Sequence, residues 1–386
     1  MPFGESKYYF MKKKKVLIVP DSFKGSLSAK EVADSIASVF PNDKFEAITL
    51  PVSDGGDGVI DVILANKGFE KKGLKIFNAN GIIKETEYLI DKLGAVYIAV
   101  SGASGIQDLN KATLNPLKAS TFGTGEVMNY VIDSGIKVIN LFLGGSATID
   151  GGTGMVAALG TSFYEGDNKI TPYDTNPLIR YDSVNIDTLA ERMKGVSTNL
   201  ISDVDNPITG EFGAARVYGP QKGADSEKVE MIESRMLRWV KFLEKRFGKE
   251  LKHLLGMGAA GGIGLPIMAS SDCKIFQGAE WFIDKLNIRE LINQADVVIT
   301  GEGSIDRQTS MGKIPGEIAG IAANKGKVVI GVCGKSDGKA ENFDQVYSLI
   351  NQFNVSEKYA MANTKELLTE MAKSIASKIM LASKIS

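Results

Sequence analysis

One histidine in 386 residues leaves almost no room for imidazole chemistry. His253 stands in "GKELKHLLGMG", toward the end of an amphipathic pattern, and reads as an ordinary surface or helix-end side chain rather than a base. Cysteine is nearly as scarce. Cys273 and Cys333 are far apart and belong to no CxxC or Cys/His cluster, which excludes a zinc framework and fits a reducing compartment. No apolar run approaches the ~18 residues of a membrane span. The opening "MPFGESKYYFMKKKK" has its charges at the wrong end for a signal peptide; Met11 is an alternative start, and the lysines at 12–15 read as a solvated lead-in to the first strand. A cytoplasmic location with no membrane partner is the resulting expectation. A dominant charge sign is missing too: 45 Lys and Arg stand against 46 Asp and Glu, so no overall field would hold the chain on nucleic acid.

The common nucleotide fingerprints are also absent. "GVCGKS" carries Gly-Lys-Ser but lacks the glycine that a Walker loop places five residues before Gly334. A GxGxx[GA] match occurs at 152–157, yet the strand-like "VINLFLG" stops several residues earlier, so the strand–turn–helix spacing of a dinucleotide site is not met.

What is present begins with size. The length and a 44% hydrophobic content suggest two domains, each able to bury a core. "KKVLIVPDS" reads as a buried strand and "SLSAKEVADSIASVF" as a helix opened by a capping box, Ser28 with Glu31. "FEAITLPVS" is a second strand, followed by "DGGDG" and a helical "VIDVILANKG". Residues 74–101 instead show hairpin-like alternation. "ADVVITGEGS", "IPGEIAGIAANKG" and "KVVIGVCGK" return to strand–helix–strand, and "FDQVYSLI" and a helical tail from about Thr364 close the chain. The expected fold is α/β: a doubly wound, parallel-sheet, Rossmann-like domain of residues 1–65 and 290–386, interrupted by a mixed α/β domain of residues 66–289, with both crossings in short turns.

Glycine is abundant, at 42 residues, and gathers in "DGGDG", "GGSATIDGGTG", "GMGAAGGIG" and "TGEGSID". Any one of these loops is ordinarily a tight turn. Several acid- or hydroxyl-bearing loops together suit an anion cradle, because glycine lets a ligand approach backbone N–H groups. Asp21, Ser22 and Lys24 crowd the end of the first strand, where open α/β sheets bind ligands. "ISDVDNPITG" places Asp203 and Asp205 beside an Asn-Pro turn outside any EF-hand pattern, and "GPQKGAD" places Lys222 between turn residues. Phosphoryl transfer uses such types: a carboxylate to orient or deprotonate a hydroxyl, carboxylates for Mg²⁺, and lysines for phosphate charge.

Seven blocks in order, "VPDSFKGSLSA", "DGGDG", "LGGSATIDGGTGM", "DVDNPITG", "GPQKGAD", "GAAGGIG" and "ITGEGSIDRQTSMGKIP", span residues 19–315, and in them the sequence resembles the bacterial type I glycerate kinases (glycerate 2-kinases). It departs from their pattern at Asp57, where glutamate is expected, and at Ile149, where asparagine is common. The resemblance implies phosphorylation of D-glycerate by ATP with Mg²⁺, usually to 2-phosphoglycerate, in a cleft between two α/β domains. On these blocks Asp203, Lys24 and Asp54 are the candidate catalytic residues. Asp21, Ser22, Asp57, Ser146, Lys222, Glu302, Asp306 and Lys313 are candidates for substrate or phosphate binding, and Asp205 for the metal. A homodimer stays open. The alternatives are an NAD(P)-dependent oxidoreductase of a small hydroxy acid and a non-catalytic, two-lobed small-anion binding protein.

Overall fold

The computed structural model describes residues 13–53, 55–56, 58–306, 309, 313–338 and 340–382. The chain divides into two compact units, one formed by residues up to 53 with those from 282 onward, the other by residues 54–281.

The first unit opens with β1 (Lys14–Pro20), whose Val16, Leu17, Ile18 and Val19 are fully buried, as a central parallel strand covered on both faces requires. Ser28 caps the helix Ala29–Ala37 with the expected reciprocal box: its Oγ accepts from Glu31 N, while Ser28 N donates to Glu31 Oε2 at 2.9 Å. β2 (Phe45–Thr49) then pairs in parallel with β1.

The chain next builds the second unit. β3 (Phe69–Phe77) and β4 (Ile83–Asp91) form the anticipated antiparallel hairpin, and β5 (Val96–Ala99) pairs antiparallel with β4. β6 (Val138–Phe142) continues the sheet in parallel. A small antiparallel sheet of β7 (Ser162–Glu165), β8 (Asn168–Lys169) and β9 (Ser183–Asn185) follows. β10 (Ser197–Ser202) and β11 (Asp272–Gln277) complete the large sheet in the order β11-β10-β6-β5-β4-β3. The helix Ser226–Phe247, capped by Asp225 and stopped by the left-handed Gly248, buries Val229, Ile232, Met236, Trp239, Val240 and Leu243 in this unit's core.

β12 (Val297–Ile305), β13 (Val328–Ser336) and β14 (Gln345–Ser348) finish the first unit's sheet, ordered β14-β13-β12-β1-β2 and parallel throughout. Val16, Ile18, Val297, Ile299, Ile330 and Val332 meet the helices Ala29–Ala37 and Thr364–Ala382 on one face. The alternate residues point the other way, where the helix Ile314–Asn324 packs on β12 and β13. The unit is therefore doubly wound.

The division differs from the sequence reading, which put the crossings at 65/66 and 289/290. The helix Val59–Ala65 packs on β3, β4 and β5, so the chain changes units before it. The return falls within the helix Gly278–Lys285 rather than in a short turn. His253 is a surface residue, as expected: the long helix ends at Phe247, and His253 is exposed in a turn beyond it.

Candidate active site

In the first unit the chain leaves β1 toward β2 on one side, while β12, β13 and β14 run outward on the other. The carboxyl ends of β1 and β12 thus form a topological switch point, the usual ligand crevice of an open α/β sheet. Asp21, Ser22 and Lys24 lie there, on the turn between β1 and its helix. Asp21 N donates to Gly301 O at 2.9 Å, and Ser22 N to Asp21 Oδ1 at 2.5 Å. Gly25, at φ +78°, turns the chain, and Ser26 Oγ donates to Thr364 Oγ1 at 2.6 Å, tying the loop to the C-terminal helix. The Lys24 side chain is exposed.

Glu302 lies on β12 itself, Asp306 just past its end and Lys313 at the N-cap of the helix Ile314–Asn324. Lys313 Nζ donates to Glu302 Oε2 at 2.9 Å, and the buried Thr309 Oγ1 donates to Oε1 at 3.0 Å. Burial pushes the Glu302 carboxyl above its ordinary range against the pull of Lys313. Asp306 closes the turn: its N donates to Thr309 Oγ1, and its Oδ1 accepts from Thr309 N. Glycine is obligatory at Gly301, where a Cβ would lie 1.8 Å from Val332 O. At Gly303 a Cβ would come within 3.5 Å of Lys24 N, so the two charged loops are adjacent.

The remaining candidates belong to the second unit. Gly55 and Gly56 pack on its loops: a Cβ on Gly55 would touch Ile201 and Phe142, and one on Gly144 would lie 2.6 Å from Gly56 Cα. The sequence reading placed "DGGDG" at the end of the first unit's second strand; its two central glycines instead pack against the ends of β6 and β10. Asp54 and Asp57 themselves lie outside the described residues.

Lys222, a candidate for substrate or phosphate binding, is only 4% exposed. Pro220 starts its short 3-10 turn and Gly223, at φ +90°, ends it. Nζ donates to Ser146 Oγ at 2.8 Å and to Thr148 O at 2.9 Å, and lies 5.8 Å from the centre of the Tyr218 ring. Burial lowers the Lys222 pKa to about 7, opposed by the charge of Asp150. Asp203 follows β10 and is exposed; its charge adds to the burial that pushes Tyr218 up to about 12. Tyr218 OH donates to Asn206 Oδ1 at 2.6 Å. Asp205 is exposed, and its Oδ1 accepts from Gln277 Nε2 at the end of β11.

Asp150 was missed by the sequence reading. It is fully buried and accepts from Thr121 N (2.8 Å), Thr121 Oγ1 (2.7 Å), Gly152 N (3.1 Å) and Gly154 N (3.2 Å), while burial raises its pKa. Its signal was available in "SATIDGG", an acid followed by two glycines, but the run reads equally well as a turn. Ile149, the departure from the family pattern, is core. The 152–157 glycine match is a helix start: β6 ends at Phe142 and the helix begins only at Thr153, so no dinucleotide turn is formed. Among the described residues no three His, Cys, Asp or Glu side chains gather to hold a metal ion. Likewise, no helix among them is long and apolar enough to cross a membrane.

These features define a two-unit α/β enzyme whose charged side chains sit on loops at strand carboxyl ends. The chain belongs to the glycerate kinase family, whose model matches residues 16–380, and it is accordingly a phosphotransferase. It is 36% identical over 372 residues to a glycerate kinase of Halalkalibacterium halodurans, covering 94% of this chain and 97% of that one. It is 34% identical over 332 residues to the glycerate 2-kinase of Escherichia coli, covering 83% and 85%. A crystal structure from Salmonella typhimurium LT2, provisionally named glycerate kinase 2, superposes with a TM-score of 0.84 at 32% identity, over 97% of this chain and all of that one.

Proposed function

We propose that the chain transfers the γ-phosphoryl group of ATP to the C2 hydroxyl of D-glycerate, giving 2-phosphoglycerate. The observation that supports this best is the meeting of the β1 and β12 loops at the switch point, where Lys24, Glu302 and Lys313 stand beside the starts of two helices. Lys24 supplies positive charge to the phosphates, and Asp21 and Ser22 shape the turn that presents it. Lys313 is held by Glu302, which fixes its position.

Glycerate is received by the second unit's loops, with Asp203 orienting its hydroxyl or taking its proton. The only histidine lies exposed in a turn past the long helix, which leaves a carboxylate as the available base. In a loose phosphoryl-transfer transition state such a base has little to do beyond positioning the nucleophile. Mg²⁺ would neutralise phosphate charge. It is usually carried by the nucleotide and one or two carboxylates, a demand that isolated aspartates such as Asp205 suit and that needs no dedicated cage.

The reading is tested by following ADP release with ATP, Mg²⁺ and D-glycerate. Glycerate-dependent ADP supports it. Glycerate binding without ADP would favour the two-lobed anion binder instead.

A further inference from the structure

Thr309 lies between the end of β12 and the helix Ile314–Asn324, and it is fully buried although it belongs to neither element. Its Oγ1 accepts from Asp306 N at 3.1 Å and donates to Glu302 Oε1 at 3.0 Å, while its N donates to Asp306 Oδ1 at 3.2 Å. Ser304 O, at 3.4 Å, is the longer and uncharged alternative for the same hydroxyl proton. The other carboxylate oxygen, Glu302 Oε2, accepts from Lys313 Nζ at 2.9 Å. Glu302 is thus held through both oxygens, by a buried hydroxyl and by a lysine. Its side chain is 16% exposed against 41% for Lys313, so a phosphate can still reach the lysine.

We infer that Thr309 is a positioning residue for the reaction: acting through Glu302, it fixes the place of Lys313, the lysine that the end of β12 offers to the nucleotide phosphates. A lysine ends a flexible stem, and a single part-exposed ion pair does not by itself hold it in one geometry. A carboxylate whose second oxygen is pinned by a buried hydroxyl gives it a fixed partner. Closing the turn alone would need only the Asp306 contacts and would leave the Thr309 proton free to go elsewhere. Burial raises the Glu302 pKa; Lys313 and the Thr309 bond oppose that rise, and the charge of Asp306 adds to it. On the neighbouring strand Cys333 stands in register with Glu302, and burial keeps it a neutral thiol.

This rests on the kinase reading above. An inactive wild type would defeat that reading before any variant is made, whereas an active wild type leaves this inference to be judged alone. The test is the pH profile of kcat/KM for ATP in the full chain, for the wild type, Thr309→Val and Thr309→Ser, with the KM for D-glycerate measured alongside. Thr309→Val should lower kcat/KM for ATP roughly tenfold or more and leave the KM for D-glycerate within about twofold. It should also move the acid limb of the profile to higher pH, because Glu302 loses a bond that favours its charged form. Thr309→Ser keeps the hydroxyl and should restore both the rate and the limb. A lowered Tm with the wild-type profile would reduce Thr309 to a turn staple and overturn the inference, as would a Thr309→Ser variant no better than Thr309→Val. If Thr309→Val does not fold, Thr309→Ala takes its place with the same expectations.

Discussion

A buried lysine whose pKa falls to about 7 must leave its mark on the pH dependence of stability. Below neutrality Lys222 is protonated in both the folded and the unfolded chain, so it adds no slope. Between about pH 7 and the ordinary lysine value of 10.5 only the unfolded chain holds the proton, so stability rises with pH. One proton gives about 1.4 kcal/mol per pH unit, so the wild type should gain about 2–3 kcal/mol on Lys222→Met between pH 7 and pH 9. Asp150, raised by its own burial, contributes the opposite sign, but only in the acid range above the ordinary carboxylate value where the folded form alone holds its proton. Subtracting the variant removes whatever part of that slope the two proteins share. Urea unfolding of both at half-unit steps from pH 6 to pH 9 gives the difference curve. It should be flat below about pH 7 and climb above it. A curve flat across the whole range would refute a buried, depressed lysine and, with it, the hydrogen-bonded geometry from which that lysine was read.

Lys24→Ala should leave Tm almost unmoved, since the side chain is exposed, while kcat falls roughly a hundredfold if it stabilises transferred charge; near-normal turnover would remove it from the site. Asp203→Asn keeps the shape and removes the charge, so kcat should fall by about 10²-fold or more with Tm steady. Retained turnover would mean that the hydroxyl is oriented by another group. Gly301→Ala would force a Cβ to 1.8 Å from Val332 O, and a cost of about 3 kcal/mol should appear as a Tm lowered by roughly 6–12 °C.

The central strands were legible because "VLIV", "VVIT" and "VVIGV" are apolar at every position, the pattern of strands covered on both faces. The capping box at Ser28 and the hairpin around residues 74–91 followed from local rules and stand as read. The switch point was only half visible. The charged ends of β1 and β12 could be seen, but their adjacency depends on strand order across a long insertion, which local pattern does not encode. Burial was the other blind spot. Lys222 and Lys24 both look like lysines in glycine turns, and only the packed structure shows one of them bonded inside the fold and the other in water. Asp150 was overlooked for the same reason: an acid before two glycines resembles a surface turn until its four donors are seen.

The most direct test of the account is proton-coupled ³¹P NMR of the product formed from ATP, Mg²⁺ and D-glycerate. Transfer to the C2 hydroxyl gives a phosphomonoester coupled to a single proton, a doublet, accompanied by ADP in equal amount, and this is the predicted result. A triplet would show transfer to the primary hydroxyl at C3 and contradict the proposed regiochemistry. Consumption of neither ATP nor glycerate would contradict the kinase assignment itself.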